Sequence, residues 1–177
     1  MEHAPRLWYR TLSMKTFSVL ELALGLAVGG SVLAVFLPTF LNNVHASRVN
    51  EPVDGLKRLA QRATALAAGR SIESAYPESV GLTPAKVARG EPVLDPPGTW
   101  EHPTWRRLNF GFSVPHSYSF AFESKLPSGA DGRAEFVARA FGDLDGDGGL
   151  STFEISGESR QGQTPMVRPL VVHREVE

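Results

Sequence analysis

The segment 143–154 carries oxygen atoms suited to a metal ion, at short and regular spacing. Aspartates at alternate positions offer carboxylates, and a backbone carbonyl, a hydroxyl and a glutamate follow within a few residues. Ca²⁺ prefers roughly 6–8 hard oxygen ligands, which one segment of this kind can supply. We therefore predict a calcium site whose ligands are Asp143, Asp145, Asp147, Gly149, Ser151 and Glu154.

This segment resembles the calcium loop of EF-hand proteins, in which Gly148 would take the sharp turn and Glu154 would bind through both carboxylate oxygens. The flanks differ from an EF-hand. Residues 133–141 alternate apolar and polar side chains, as do Phe153 and Ile155, which predicts strands rather than helices. The resemblance therefore covers the loop alone, and a Gly- and Asp-rich hairpin turn is the alternative interpretation.

The strongest hydrophobic segment is 17–41, which has no charged residue between Leu22 and Leu41. About 20 apolar helical residues span the ~30 Å hydrocarbon core of a bilayer. A cleaved signal peptide is the competing interpretation, but its apolar core is usually only ~7–15 residues long. Arg6, Arg10 and Lys15 precede the segment, which predicts a cytoplasmic N-terminus and an external C-terminal part.

Glu21 lies inside this apolar segment, where a carboxylate costs roughly 2.5–3.5 kcal/mol on insertion scales. Either its side chain reaches the headgroups, or an assembly partner supplies a cation. A short basic leader, Phe17, Glu21 four residues later and Pro38 seventeen beyond that together resemble the N-terminus of type IV pilins and pseudopilins.

The resemblance implies that a prepilin peptidase cleaves between Thr16 and Phe17, and that the freed amine of Phe17 neutralises Glu21 of a neighbouring subunit. It also implies partners: other pilin subunits, an inner-membrane assembly platform and membrane lipid. Thr16 departs from the family, which has Gly or sometimes Ala before the cut. Some pilin-like proteins also carry an acidic loop like 143–154. Since this chain has no cysteine, a calcium ion would replace the disulfide that holds the head of many pilins.

The predicted organisation is a leader at 1–16, one long helix at 17–69 and a β-rich head at 70–177. Residues 53–67 repeat apolar side chains at helical spacing, and Gly69 is a plausible helix end. Pro38 and Pro52 are expected to kink or loosen the helix. Residues 70–104 are rich in Pro and Gly, which predicts an ordered loop with one helical turn starting at Thr83.

Alternating residues predict strands near 118–122, 134–141, 150–155 and 170–172. Trp100 and Trp105 are expected to anchor loops on the core. The fold class is therefore α+β, with a long N-terminal hydrophobic helix packed on a small antiparallel sheet in a pilin-like head.

The net charge of -1 and the scattered basic residues argue against nucleic-acid binding. The absence of cysteine excludes thiolate zinc sites and cysteine nucleophiles, and no catalytic motif is present. We therefore expect a structural subunit rather than an enzyme: a minor pilin or pseudopilin, held in the inner membrane before filament assembly. The alternative, favoured by Thr16, is a permanently anchored periplasmic module that binds calcium or another ligand and does not polymerise.

Overall fold

A computed structural model describes residues 18–127 and 132–174, and the backbone alone at 39–49 and Arg174. Thr16 and Phe17, where cleavage is predicted, lie outside the described residues. The chain divides into two compact units, Met1–Val44 and His45–Glu177. The helices are α1 (Val19–Ala67) and α2 (Pro103–Leu108), with a short 3-10 helix at Ile72–Ser74. The strands are β1 (Val80–Thr83), β2 (Tyr118–Lys125), β3 (Arg133–Gly142), β4 (Ser151–Arg160), β5 (Met166–Val167) and β6 (Val171–Arg174).

The first part of α1 is apolar and exposed. Val19–Pro38 has a mean hydropathy of 2.1 and none of its residues is buried within the molecule, so this helix is long and apolar enough to cross a membrane. The helix continues through Pro38 and Pro52, so neither proline ends it. It stops at Ala67, and Gly69 adopts the left-handed backbone conformation (φ +77°) that favours glycine after a helix end.

The second part of α1 belongs to the head, where its apolar stripe is buried. Leu56, Leu59 and Ala63 are fully enclosed in the core, as the helical spacing predicts. Gly55 lies against the ring of Phe120 on β2, so closely that an added Cβ would fall 2.6 Å from a ring carbon. The absence of a side chain at this position therefore lets α1 approach the sheet.

The sheet is antiparallel, with the order β1-β2-β3-β4-β5, and β6 pairs with β4 as well. β2 and β3 pair from Tyr118↔Gly142 to Lys125↔Glu135. The inward side chains of β2 are aromatic, whereas those of β3 are mostly alanines beside Phe136; Phe120, Phe122 and Phe136 are almost completely buried. The α+β class and the strands predicted near 118, 134, 150 and 170 are confirmed, whereas β1 and β5 were not predicted.

The helical turn predicted at Thr83 is wrong. Thr83 is instead the last residue of β1. Its extended backbone is explained by Pro84, because a residue before proline is disfavoured in helical conformation. The Thr83 hydroxyl accepts a hydrogen bond from Trp105 Nε1 at 3.0 Å. The turn of helix lies instead at α2, where Pro103 takes the first position and His102 caps the start. Trp105 is fully buried and Trp100 packs against it, so both tryptophans anchor this segment as expected.

Candidate functional site

The acidic loop closes the hairpin between β3 and β4. Gly142 and Ser151 are paired residues at the ends of these strands, so residues 143–150 form the connection. Gly146 and Gly148 have φ values of +77° and +92°, which side-chain-bearing residues rarely adopt. The sharp turn expected at Gly148 is therefore present, and the flanks are strands rather than the helices of an EF-hand.

The loop brings the side chains of Asp143, Asp145 and Asp147 together. One carboxylate oxygen from each lies within 4.8 Å of the other two. Two local hydrogen bonds shape the loop: Asp145 Oδ1 accepts from the Asp147 amide at 3.2 Å, and Asp147 Oδ1 accepts from the Gly149 amide. Three carboxylates this close repel one another, and a cation between them would relieve that repulsion.

Asp143 differs from the two other aspartates because it is only 1% exposed, whereas Asp145 and Asp147 face solvent. Neither of its side-chain oxygens has a hydrogen-bond partner among the described residues. The nearest opposite charge is Arg89, whose Nε lies 3.5 Å from Asp143 Oδ2. A buried carboxylate without hydrogen bonds is unfavourable, so this oxygen pair suits a hard cation.

The side chains of Ser151 and Glu154 have other hydrogen-bond partners. The Ser151 side chain is buried and donates to the Gly142 carbonyl at 3.1 Å. Glu154 accepts from Arg139 Nε at 2.7 Å on β3. Residues three positions apart lie on the same side of a helix but on opposite faces of a strand. Ser151 and Glu154 belong to β4, so their side chains point to opposite faces of the sheet. The group of carboxylates that lie together is therefore Asp143, Asp145 and Asp147, without Glu154, and the Gly149 amide shapes the loop.

Arg139 holds Glu154 on the outer face of the sheet. Its Nη1 also donates to Glu123 on β2 at 2.6 Å, so one guanidinium joins three strands. Burial acts to lower the pKa of Arg139, but the hydrogen bond and charge of Glu154, with the charge of Glu123, raise it overall. The carboxylate of Glu154 is thereby committed to a cross-strand ion pair.

The predicted assembly residue Glu21 lies in the first turn of α1. Its Oε2 accepts from the Ser18 amide at 2.8 Å and from the Ser18 hydroxyl at 3.0 Å. The Glu21 amide donates back to Ser18 Oγ at 3.2 Å. This reciprocal arrangement is a capping box, which the Ser-x-x-Glu spacing signals in the sequence but which the sequence analysis missed. Pro38 is exposed within α1.

A cavity of about 330 Å³, which the sequence did not indicate, lies beneath residues 84–96 and is lined by Arg89, Asp95, His116 and Ser119 among others. His116 is buried, with Nε2 2.7 Å from Asp95 Oδ2 and Nδ1 2.8 Å from the Tyr118 carbonyl oxygen. Its ring stacks on Phe112. His116 is therefore packed in the interior, with an acceptor atom next to each ring nitrogen.

The fold and its sites define an α+β protein with one N-terminal helix long and apolar enough to cross a membrane. Its head carries an acidic loop able to hold a metal ion. Comparison of the chain with protein-family profiles, curated proteins and solved structures returns no match. The assignment of function therefore depends on the helix and the loop themselves.

Proposed function

We propose that the protein is a structural subunit of a pilin-like filament, and that α1 anchors it in the inner membrane before assembly. The observation that carries the proposal is the exposure of Val19–Pro38, a largely apolar segment of twenty residues, none of which is buried within the molecule. Such a surface is unstable in water and needs either lipid or other helices around it. A filament subunit uses both in turn.

Small residues support packing between copies of this helix. Gly25, Gly29 and Gly30 have no neighbouring atoms within 4 Å of an added Cβ, so a second helix can approach closely at these positions. The basic residues before the helix favour an orientation with the N-terminus in the cytoplasm and the head in the periplasm. After assembly the heads lie outside the membrane, on the filament.

Glu21 sets the register between neighbouring subunits in this proposal. The capping box gives its carboxylate local hydrogen bonds, and no ion pair joins it to another residue in the described part of the chain. The amine that cleavage before Phe17 creates on a neighbour would supply that charge. The Glu21 carboxylate therefore has two candidate roles, as a helix cap and as a charge partner of the neighbouring subunit. Two substitutions can distinguish these roles.

The experiment compares Glu21→Gln with Ser18→Ala in cells that assemble the filament. Glu21→Gln keeps a capping acceptor but removes the charge, whereas Ser18→Ala removes the serine cap and keeps the charge. We expect Glu21→Gln to reduce the amount of protein in the sheared filament fraction at least tenfold. Ser18→Ala should assemble as the wild type does, and membrane insertion should be unimpaired in both variants.

The opposite pattern would contradict the proposal. Equal assembly of Glu21→Gln and wild type means that the charge has no partner. Loss of assembly in Ser18→Ala alone means that the carboxylate serves only as a cap. If no variant and no wild-type protein enters a filament fraction, the permanently anchored module is the better account.

For the head, we propose that Asp143, Asp145 and Asp147 bind calcium, and that the ion holds the β3–β4 hairpin closed. The buried oxygens of Asp143, which have no hydrogen-bond partner among the described residues, support this proposal more strongly than the two exposed aspartates do. An ion that binds only the folded hairpin stabilises it by mass action. Glu154 is not included in this ligand set, because Arg139 already holds it.

A further inference from the structure

We propose that Arg89 is an internal competitor for the cation site, so that its guanidinium sets how tightly Asp143, Asp145 and Asp147 bind calcium. This inference rests on the calcium binding proposed above. Arg89 is remote in sequence from the acidic loop, yet its Nε is 3.5 Å from Asp143 Oδ2. A bound cation and the guanidinium would therefore share the same buried carboxylate.

The backbone of Arg89 is fixed beside the loop. Arg89 and Asp143 form a parallel bridge, in which the Gly90 amide donates to the Asp143 carbonyl at 2.8 Å. An added Cβ at Gly146 would lie 3.7 Å from the Gly90 nitrogen, so the two segments are in contact. The main chain thus keeps Arg89 next to Asp143 whatever its side chain does.

The side chain of Arg89, in contrast, lies mostly in solvent. It is 68% exposed, while that of Asp143 is 1% exposed. Its Nη2 lies 3.7 Å from the position of an added Cβ at Gly148, which places the guanidinium over the loop. The contact between Arg89 and Asp143 does not have hydrogen-bond geometry, so a calcium ion that coordinates the Asp143 carboxylate can displace the guanidinium.

The charges explain the competition. Three carboxylates attract a divalent ion strongly. One nearby guanidinium cancels about a third of their combined negative charge, which weakens that attraction. An ion at the aspartates and a guanidinium beside Asp143 also repel each other directly. Binding must therefore include the movement of Arg89 toward solvent, and removing its charge should strengthen binding.

The test is calorimetric titration of the full-length protein in detergent micelles with calcium chloride. We expect Arg89→Gln to lower the calcium Kd about tenfold, which corresponds to about 1.4 kcal/mol. Arg89→Lys keeps the charge and should stay within about threefold of the wild type. Lys86→Gln is the matched control. Lys86 lines the same cavity as Arg89, and its substitution also removes one positive charge, but Lys86 does not lie beside Asp143. It should change the Kd by less than twofold.

A spectroscopic signal separates displacement from a general charge effect. The ¹H–¹⁵N resonance of Arg89 Nε should shift during calcium titration of the wild type, and it should not shift in Asp143→Asn. Equal Kd changes in Arg89→Gln and Lys86→Gln would overturn the competitor role while leaving calcium binding intact. Absence of calcium binding in the wild type and in Arg89→Gln would overturn both proposals. Circular dichroism of each variant at the titration temperature checks that it is folded.

Discussion

Replacement of Gly55 by alanine tests how closely α1 packs on the sheet. An alanine Cβ at this position would lie 2.6 Å and 2.7 Å from two ring carbons of Phe120. Carbon atoms pack favourably at about 3.5–4.0 Å, so the helix or the ring must move by about 1 Å. The ring has little room, because Phe120 is fully buried and its centroid lies 5.1 Å from that of Phe110 and 5.4 Å from that of Phe112.

Two effects of opposite sign determine the result. Alanine is favoured over glycine in a helix interior by about 1 kcal/mol. Overpacking of a rigid core costs about 1–3 kcal/mol, and the two short contacts place Gly55 near the upper end of that range. We therefore expect Gly55→Ala to lower the free energy of unfolding by about 2 kcal/mol. For a head of this size, the Tm should fall by about 6–10 °C.

The assay is thermal unfolding of the full-length protein in detergent, followed by the fluorescence of the two tryptophans in the head. Gly81→Ala is the control, because an added Cβ there has no neighbour within 4 Å, and its Tm should change by less than about 2 °C. Phe120→Leu should show a favourable coupling with Gly55→Ala, since the smaller side chain removes the clash. A Tm that rises in Gly55→Ala would show that helix propensity dominates, and would refute the proposed close packing.

Two further predictions concern calcium and pH. Calcium at about 100 times its Kd should stabilise the head by about 2.7 kcal/mol and raise its Tm. Asp145→Asn should lose most of this Tm rise, whereas Glu154→Gln should retain it. An equal loss in both variants would contradict the three-carboxylate site. Glu51 accepts hydrogen bonds from the Ser117 and Tyr118 amides, yet burial raises its pKa above the ordinary value of 4.5, against the opposing effect of those bonds and of the charge of His116. A raised pKa in the folded state makes the contribution of Glu51 to stability greatest at low pH and smaller as pH rises through that pKa. The unfolding free energy of the wild type minus that of Glu51→Gln should therefore decrease between pH 4 and pH 7 in urea titrations, and an increase would refute this assignment.

The fold was predictable where side-chain periodicity is strong. Tyr118, Phe120 and Phe122 alternate with smaller or polar residues, and they form the inward face of β2. The short strands β1 and β5 have too few residues to show such a pattern; β5 has only two. Thr83 was misassigned as the start of a helical turn, although the proline that follows it argues for extended backbone.

The candidate site was only partly predictable, because a motif fixes spacing but not secondary structure. Asp143, Asp145 and Asp147 converge because their loop has the turn that the glycines indicate. Ser151 and Glu154 lie on opposite faces of a strand, and Glu154 pairs with Arg139 instead of joining the aspartates. Arg89 could not have been found from the sequence, since its contact with Asp143 arises from the path of a long loop.

The central claim, that the protein is a cleaved subunit assembled through α1, is tested most directly by the N-terminal residue of the native protein in sheared extracellular material. Intact-mass measurement and N-terminal sequencing should identify a chain that begins at Phe17 and has lost residues 1–16. Thr16→Gly should increase the cleaved fraction, because the substitution provides the small residue that prepilin-type cleavage favours. Recovery of the full-length chain from the membrane fraction alone, unchanged by Thr16→Gly, would contradict the account.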